Sequence, residues 1–408
     1  MTEVQTTIDR VEGFHVAGTH CGLKKDGKLD FALIVSDRPC ASAGVFTRNL
    51  AKAAPVLVDM RRLASYSNAI RAVAINTSSA NACTGRKGIQ DAEVMADWVA
   101  ETIGCKGENV LVMSTGVIGM PLPLDKVKQG IVATSKSLGD DWESTAKAIM
   151  TTDTRPKIAS VKVTTSSSKR YTIAGISKGS GMIAPNMATM LAVITTDVSL
   201  TVPETKLALR MAVDKTFNRI VVDGDMSTND TVFLLANGGS GVSLVTSEDR
   251  EQFQEALDAL CRKLAQDIVR DGEGASKFIA VHVQEALDAE SARKIANAIA
   301  TSPLVKTAFY GNDANWGRII AAVGYAGVPL DLERVRLWIS PGAELNGSGL
   351  QLFSEGIPTD YSEKEATAIM KNQAVCVRLT CGQGGGDDVV WTCDLSHDYV
   401  TINADYRT

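Results

Sequence analysis

Apolar residues recur along this chain either at alternate positions or at intervals of three and four, and the two periods mix without a regular cycle. In residues 11–60, short segments such as Phe31-Ala-Leu-Ile-Val35 and Ala43-Gly-Val-Phe46 are broken by glycine, asparagine and Asp37-Arg-Pro39, which predicts strands and turns. Arg71-Ala-Val-Ala-Ile75 predicts another strand, and the small polar residues 76–85 a loop. Val94, Trp98 and Val99 fall at helical spacing within a helix over 89–103, and residues 109–113 read as a buried strand. Helices follow over 124–135 and 140–150, ending before Pro156, and strands over 158–165 and 170–176 form a hairpin across Ser166-Ser-Ser-Lys169. The unbroken run Met190-Leu-Ala-Val-Ile194 predicts a core strand. Helices are expected over 203–217, 249–270, 289–300 and 315–324; in the longest, Phe253, Ala256, Leu257, Leu260, Leu264 and Ile268 share one face. Strands are expected over 277–284, 305–310, 335–339, 375–380 and 389–393, with Gly382-Gln-Gly-Gly-Gly386 as a hairpin connection. Tyr399, Val400 and Ile402 predict that the tail to Thr408 is ordered, not frayed. Strands and helices mixed in this way indicate a layered α+β fold.

Composition narrows the function class. A length of 408 residues gives a prior of two or three domains, and 45% hydrophobic residues, 22% charged residues and a net charge of −5 fit a globular protein with no nucleic acid as a dominant partner. The first ten residues lack the basic and apolar regions of a signal peptide, and no apolar run approaches the roughly 18–20 residues that span a bilayer, so the expected location is the cytoplasm, with no membrane partner. Eight cysteines without a Cys-x-x-Cys pair suggest reduced thiols rather than a disulfide framework, and His15, His20 and Cys21 read as structural, so no metal site is expected. The glycine cluster at 382–386 lacks a following Lys-Ser/Thr, which argues against a nucleotide loop; the acidic stretch 223–230 lacks the twelve-residue calcium-loop spacing and is read as a wall of the active site.

One joint in the pattern carries candidate chemistry. In Lys178-Gly-Ser-Gly-Met-Ile-Ala-Pro-Asn-Met-Ala-Thr189, two glycines and a proline shape a loop that meets the apolar run at a hydroxyl residue. Attack of the Thr189 hydroxyl on the Ala188 carbonyl would shift the acyl group from nitrogen to oxygen, and hydrolysis of the ester would divide the chain. The liberated α-amine, with a reference pKa of roughly 7.7–8.0, then serves as general base for its own hydroxyl. The bland reading is that Thr189 merely begins a strand. Thr115-Gly116 follows the 109–113 strand; a glycine N–H and a threonine hydroxyl can stabilise an oxyanion, although such a pair after a strand is most often a turn.

The 178–191 segment resembles the self-cleavage motif of the ornithine acetyltransferase family, also called bifunctional glutamate N-acetyltransferase. Ser114-Thr-Gly-Val-Ile-Gly119, Phe217-Asn-Arg-Ile220, Val222-Asp-Gly-Asp-Met-Ser-Thr-Asn-Asp-Thr231, Asp271-Gly-Glu-Gly-Ala-Ser-Lys277, Gly311-Asn-Asp-Ala-Asn-Trp-Gly-Arg318 and the stretch from Asp398 to Thr408 also resemble the family, in its order and over nearly the whole chain. Two departures stand out: the 76–85 loop has fewer glycines than is usual, with Ser78 and Ser79 among its residues, and Met226 stands where threonine is usual.

The resemblance implies a layered αββα-type sandwich of the N-terminal-nucleophile-like kind, shared by DmpA and ornithine acetyltransferases. It implies cleavage between Ala188 and Thr189 into chains 1–188 and 189–408, assembled as an α2β2 heterotetramer. Thr189 would be the nucleophile and Thr115 and Gly116 the oxyanion hole; Thr152, Lys178, Thr189, Glu273, Asn403 and Thr408 would bind substrate, Glu273 taking the ornithine amine. The implied reaction is ping-pong transfer of acetyl from N2-acetylornithine to glutamate, with no cofactor. Three rivals remain: the bifunctional form that also takes acetyl-coenzyme A as donor, a related amidase or hydrolase, and an uncleaved binding protein.

Overall fold

The computed structural model describes residues 3–184, 190–345, 347 and 349–405. It forms two compact units, Met1–Asn218 with Asp225–Ile268 and Arg219–Gly224 with Val269–Thr408. Neither coincides with the expected chains 1–188 and 189–408, whose division is a covalent matter separate from this one.

The first unit is organised by β2 (Phe31–Phe46), sixteen residues long, which follows β1 (Phe14–Thr19). Its first part pairs antiparallel with β1 and with β3 (Ile70–Asn76); after the exposed Asp37-Arg38-Pro39 its second part pairs with β8 (Thr231–Ala236). The strand thus belongs to two half-sheets. One continues from β3 to β4 (Val110–Ser114), the other from β8 through β7 (Leu191–Thr196) and β6 (Arg170–Lys178) to β5 (Lys157–Thr164).

Alternation along the strands makes this a sandwich, because side chains of period two serve opposite faces. Ile34, Val73, Ile75, Leu111 and Met113 from one half share a core with Ala174, Ile176, Leu191, Val193, Phe233 and Leu235 from the other. Phe31, Leu33, Ala72, Ala74, Val110 and Val112 face outward against helices, including α2 (Gly85–Ile103) and α3 (Leu124–Lys136). On the other outer face, α5 (Val202–Lys215) lies against β2 and β8, and α6 (Ser247–Arg270) brings Leu260 and Leu264 over Gly175 of β6. The layers are αββα, in the α+β class that the periodicities indicated.

Two further helices complete this unit, and one corrects the strand-and-turn reading of residues 11–60. α1 (Ala54–Tyr66) buries Val56, Val58, Asp59, Arg62 and Leu63, whose helical period is disguised because two of those positions are charged. α4 (Trp142–Ala148) is shorter than expected and is capped by Asp141, whose side chain accepts from the Ser144 N–H.

The second unit holds a six-stranded sheet in the order β12–β11–β10–β13–β9–β14. Its strands are β9 (Phe278–Ala286), β10 (Arg336–Pro341), β11 (Leu350–Ser354), β12 (Ile357–Pro358), β13 (Ala374–Thr380) and β14 (Gly386–Cys393). The expected hairpin across the 382–386 glycines is not formed, because β13 and β14 flank β9 on opposite sides. α7 (Ala289–Thr301), α8 (Pro303–Tyr310) and α9 (Trp316–Gly324) cover one face, α10 (Glu363–Met370) packs beside β10, and α11 (His397–Ala404) ends the described chain.

α8 replaces the expected 305–310 strand. Pro303 occupies its first turn, the Ser302 side chain accepts from the Val305 N–H, and Val305, Ala308 and Phe309 are buried at helical spacing. The described part of the tail is helical in α11, which buries none of its residues, and Val400 is 66% exposed, so apolar burial is not what orders it. No helix among the described residues is long and apolar enough to cross a membrane.

Candidate active site

β4 delivers Thr115 to the edge of the first unit's sandwich, where it meets the 76–85 loop after β3. The Thr115 N–H donates to the Asn76 carbonyl (3.0 Å), Val117 N–H to Ser78 (3.2 Å) and Ala80 N–H to Val117 (3.1 Å). Among the described residues none accepts from the Gly116 N–H. Gly116 has φ +133°, and a Cβ there would lie 2.3 Å from the Ser78 carbonyl carbon, so the turn admits only glycine. Ser78 has φ 71°, a conformation that glycine favours. The loop therefore takes a glycine-like backbone despite the serine, at a strain cost of about 1–3 kcal/mol.

Two other segments lock this corner. Asn229 Nδ2 donates to the Ala80 carbonyl (2.7 Å) and the Ser114 carbonyl (2.8 Å), fastening the 222–231 motif to the Thr115 turn. Met226 takes part through its carbonyl, which accepts from Asn49 Nδ2 (3.0 Å), so this contact does not depend on the side chain that departs from the resemblance. At the end of β6, Lys178 is 3% exposed and its Nζ donates to Thr115 Oγ1 (3.4 Å). An ammonium has only protons to give, so Thr115 Oγ1 accepts here and its own proton is directed elsewhere.

Thr152 Oγ1 hydrogen-bonds Ser180 Oγ (2.6 Å), which brings it beside the start of the 178–191 segment. Asp153 Oδ1 accepts from Lys157 Nζ (2.6 Å) and the Gly179 N–H (2.7 Å), and Oδ2 lies 4.0 Å from Lys178 Nζ. Burial pushes its carboxyl up, but Lys178, Lys157 and the Gly179 N–H more than reverse this and hold it down at about 2. Asp230 is fully buried and Oδ1 accepts from the Met190 N–H (3.0 Å); burial drives its carboxyl well above the ordinary range.

The second unit contributes a separate pair. Glu273 is 8% exposed, and its Oε2 accepts from Asn403 Nδ2 of α11 (2.8 Å). Gly274, with φ +69°, permits the approach: a Cβ would lie 2.6 Å from the Tyr399 N and 2.7 Å from Ser396 Oγ. Tyr399 Oη donates to Asp223 Oδ2 (3.3 Å), so that acid of the calcium-like stretch has a protein partner.

The structure thus brings together Thr115, Gly116, Lys178 and Thr152 in the first unit, and Glu273 and Asn403 in the second. Ala188, Thr189 and Thr408 lie outside the described residues. Sequence reasoning passed over Asp153 and took Asp230 only as part of the 223–230 wall. The signal available was their setting, Asp153 in the polar turn before Pro156 and Asp230 immediately ahead of a wholly apolar strand, Val232–Ala236, after its first threonine.

A family model described as the ArgJ family matches residues 15–408. A protein of Geobacter sulfurreducens named arginine biosynthesis bifunctional protein ArgJ is 46% identical over 401 residues, covering 98% of this chain and 100% of its own. One of that name from Thermotoga neapolitana is 46% identical over 398 residues, covering 97% and 99%. Among solved structures, the ArgJ protein of Bacillus halodurans is 40% identical over 52% of this chain and 97% of its own, with a TM-score of 0.48. An ornithine acetyltransferase of Mycobacterium tuberculosis complexed with ornithine is 34% identical over 45% and 98%, with a TM-score of 0.40.

Proposed function

Since the chain belongs to the ArgJ family of arginine-biosynthesis acetyltransferases, we propose that it moves acetyl from N2-acetylornithine to glutamate through an ester on Thr189. The single observation that carries this reading is the Thr115–Gly116 turn. A glycine N–H without a partner among the described residues and a hydroxyl whose oxygen already accepts from Lys178 are two donors set for an oxyanion.

The precursor cleaves between Ala188 and Thr189 into chains 1–188 and 189–408, which assemble as an α2β2 heterotetramer in the cytoplasm. The freed amine of Thr189 takes the proton of its hydroxyl as the oxygen attacks the acetyl carbonyl. Thr115 and Gly116 stabilise the tetrahedral oxyanion, the C–N bond breaks, and ornithine leaves with the proton. The amine of glutamate then attacks the ester across the same donors and departs as N-acetylglutamate, restoring Thr189. Lys178 is the candidate for a substrate carboxylate and Glu273 for the ornithine amine, and Thr152, Asn403 and Thr408 are candidate substrate contacts by the family resemblance.

No resident cofactor or metal enters these steps. The bifunctional name of the relatives favours acetyl-coenzyme A as a second acetyl donor. Incubation with N2-acetylornithine and glutamate tests the reading: N-acetylglutamate should form in step with ornithine, whereas stoichiometric release of free acetate would make the protein a hydrolase.

A further inference from the structure

Two consecutive side chains hold the neighbours of the proposed reacting groups. Asn229 Nδ2 donates to the carbonyl of Ser114 (2.8 Å), the residue before Thr115, and to that of Ala80 (2.7 Å) in the facing loop. Asp230 Oδ1 accepts from the N–H of Met190 (3.0 Å), the residue after Thr189. We propose that Asn229 and Asp230 form a brace, a pair of positioning residues that sets the separation between the nucleophile and the oxyanion turn. The proposal deepens the acetyltransferase reading and rests on it for the roles of Thr189 and Thr115; the brace itself rests on the geometry.

Each arm is fixed by its own partners. Both protons of the Asn229 amide are engaged by those two carbonyls, and its Oδ1 accepts from Thr228 Oγ1 (2.6 Å), which sets the orientation of the amide. On the other side Asp230 and Met190 are both buried, and the Met190 carbonyl accepts from the Thr231 N–H (3.1 Å), so this residue is held at both backbone groups. The Thr47 N–H donates to the Asp230 carbonyl (3.0 Å) and ties the pair to the end of β2. A peptide unit is planar, so a bond that fixes the Met190 N–H also bears on the carbonyl carbon and Cα of Thr189. This counts most after cleavage, when the peptide bond to Met190 is the one covalent tether of Thr189. The two arms spring from Cα atoms about 3.8 Å apart, a span too short to give much slack. Burial drives the Asp230 carboxyl well above its ordinary range against the Met190 N–H, the Thr47 and Ser227 hydroxyls and Lys178, so the arm is a neutral acceptor.

The test compares Asp230→Asn, which keeps an acceptor of the same shape, with Asp230→Leu, which keeps the shape without the acceptor. Self-cleavage is followed on a denaturing gel, and single-turnover acetylation of the cleaved fraction by N2-acetylornithine is read by mass spectrometry. D230N should cleave and acetylate within about threefold of wild type. D230L should slow both steps by about 10–100-fold, the scale of a nucleophile misplaced by about 1 Å, with the donor Kd within about threefold. A D230N rate less than about threefold above that of D230L would overturn the proposal, as would a D230L protein that loses donor affinity and keeps its rate. Crystal structures of cleaved wild type and D230L give a readout independent of activity. Thr189 Oγ1 displaced from the Gly116 N by about 1 Å relative to wild type supports the brace, and an unmoved hydroxyl refutes it. If D230L does not fold, Asn229→Ala carries the same readouts, because it frees the other arm; a wild-type rate and separation in N229A count against the brace. A wild-type chain that stays uncut and takes up no acetyl would sink the reading of Thr189 and the brace with it. One that cleaves but takes up no acetyl would sink the acetyltransferase reading alone, and the cleavage rates would still decide the brace.

Discussion

Gly116→Ala probes the site where steric cost and chemistry coincide. The added Cβ would sit 2.3 Å from the Ser78 carbonyl carbon, 2.6 Å from its oxygen and 2.7 Å from its Cα, all of them backbone atoms that cannot rotate away. An ordinary carbon contact is about 3.5 Å, so the two loops must part by about 1 Å. The backbone at φ +133° adds strain of about 1–3 kcal/mol for any residue with a side chain, which at about 2–4 °C per kcal/mol lowers Tm by roughly 2–12 °C. The functional loss should be larger. If the Gly116 N–H is the proposed oxyanion donor, moving it should cost about 10²–10³ in kcat, or about 2.7–4 kcal/mol. Donor binding should change by less than about threefold, because the proposed substrate contacts of Lys178 and Glu273 are untouched. The assay is rapid-quench measurement of acetyl-enzyme formation beside a thermal scan. A G116A protein that acetylates within threefold of the wild-type rate would refute Gly116 as a donor, and an unchanged Tm would refute the contact that Ser78 makes with it.

Three further outcomes are expected. Thr189→Ala should give one unbroken chain that takes up no acetyl, seen as a single band on a denaturing gel; a two-chain, active T189A protein would contradict the account. Glu273→Gln should raise the KM for N2-acetylornithine by about 10–100-fold through loss of one charge-assisted contact, with kcat changed by less than about threefold in steady-state assays; an unchanged KM removes Glu273 from the amine site. Asp230→Asn tests the buried acid. A carboxyl raised in the folded state gives stability that is full below its unfolded value of about 3.9 and is lost as pH rises through the folded value, so the asparagine variant should gain on wild type as pH increases. Thermal midpoints from pH 4 to 8 measure this, and a constant difference would mean that Asp230 is ionised as usual.

The sequence made the layers and the turns that carry the candidate residues legible for a physical reason: both are local. Alternation in Phe31–Val35 and Met190–Ile194 announces strands that serve a core, and Thr115-Gly116, Lys178 and Glu273 stand in short motifs that each shape one turn. What stayed hidden depends on distant partners. In α1 the charged Asp59 and Arg62 interrupt the apolar period, although Asp59 accepts from the Val112 N–H (3.1 Å) and Arg62 donates to the Val110 carbonyl (2.5 Å). Asp153 gains its meaning from Gly179, 26 positions on, and Asp230 from Met190, 40 positions back. In α8 the expected strand over 305–310 gives way to a helix, for which the spacing of the buried Val305, Ala308 and Phe309 is the better guide. The fan-out of β13 and β14 to either side of β9 follows from pairing that no glycine cluster can announce.

The central claim is that Thr189 becomes a free N-terminus and then carries acetyl. Intact-mass spectrometry of the purified protein, before and after N2-acetylornithine is added, addresses both halves at once. The account predicts two chains, 1–188 and 189–408, with the mass of one acetyl group appearing on the second chain and disappearing when glutamate follows. A single uncut chain that still makes N-acetylglutamate would contradict it.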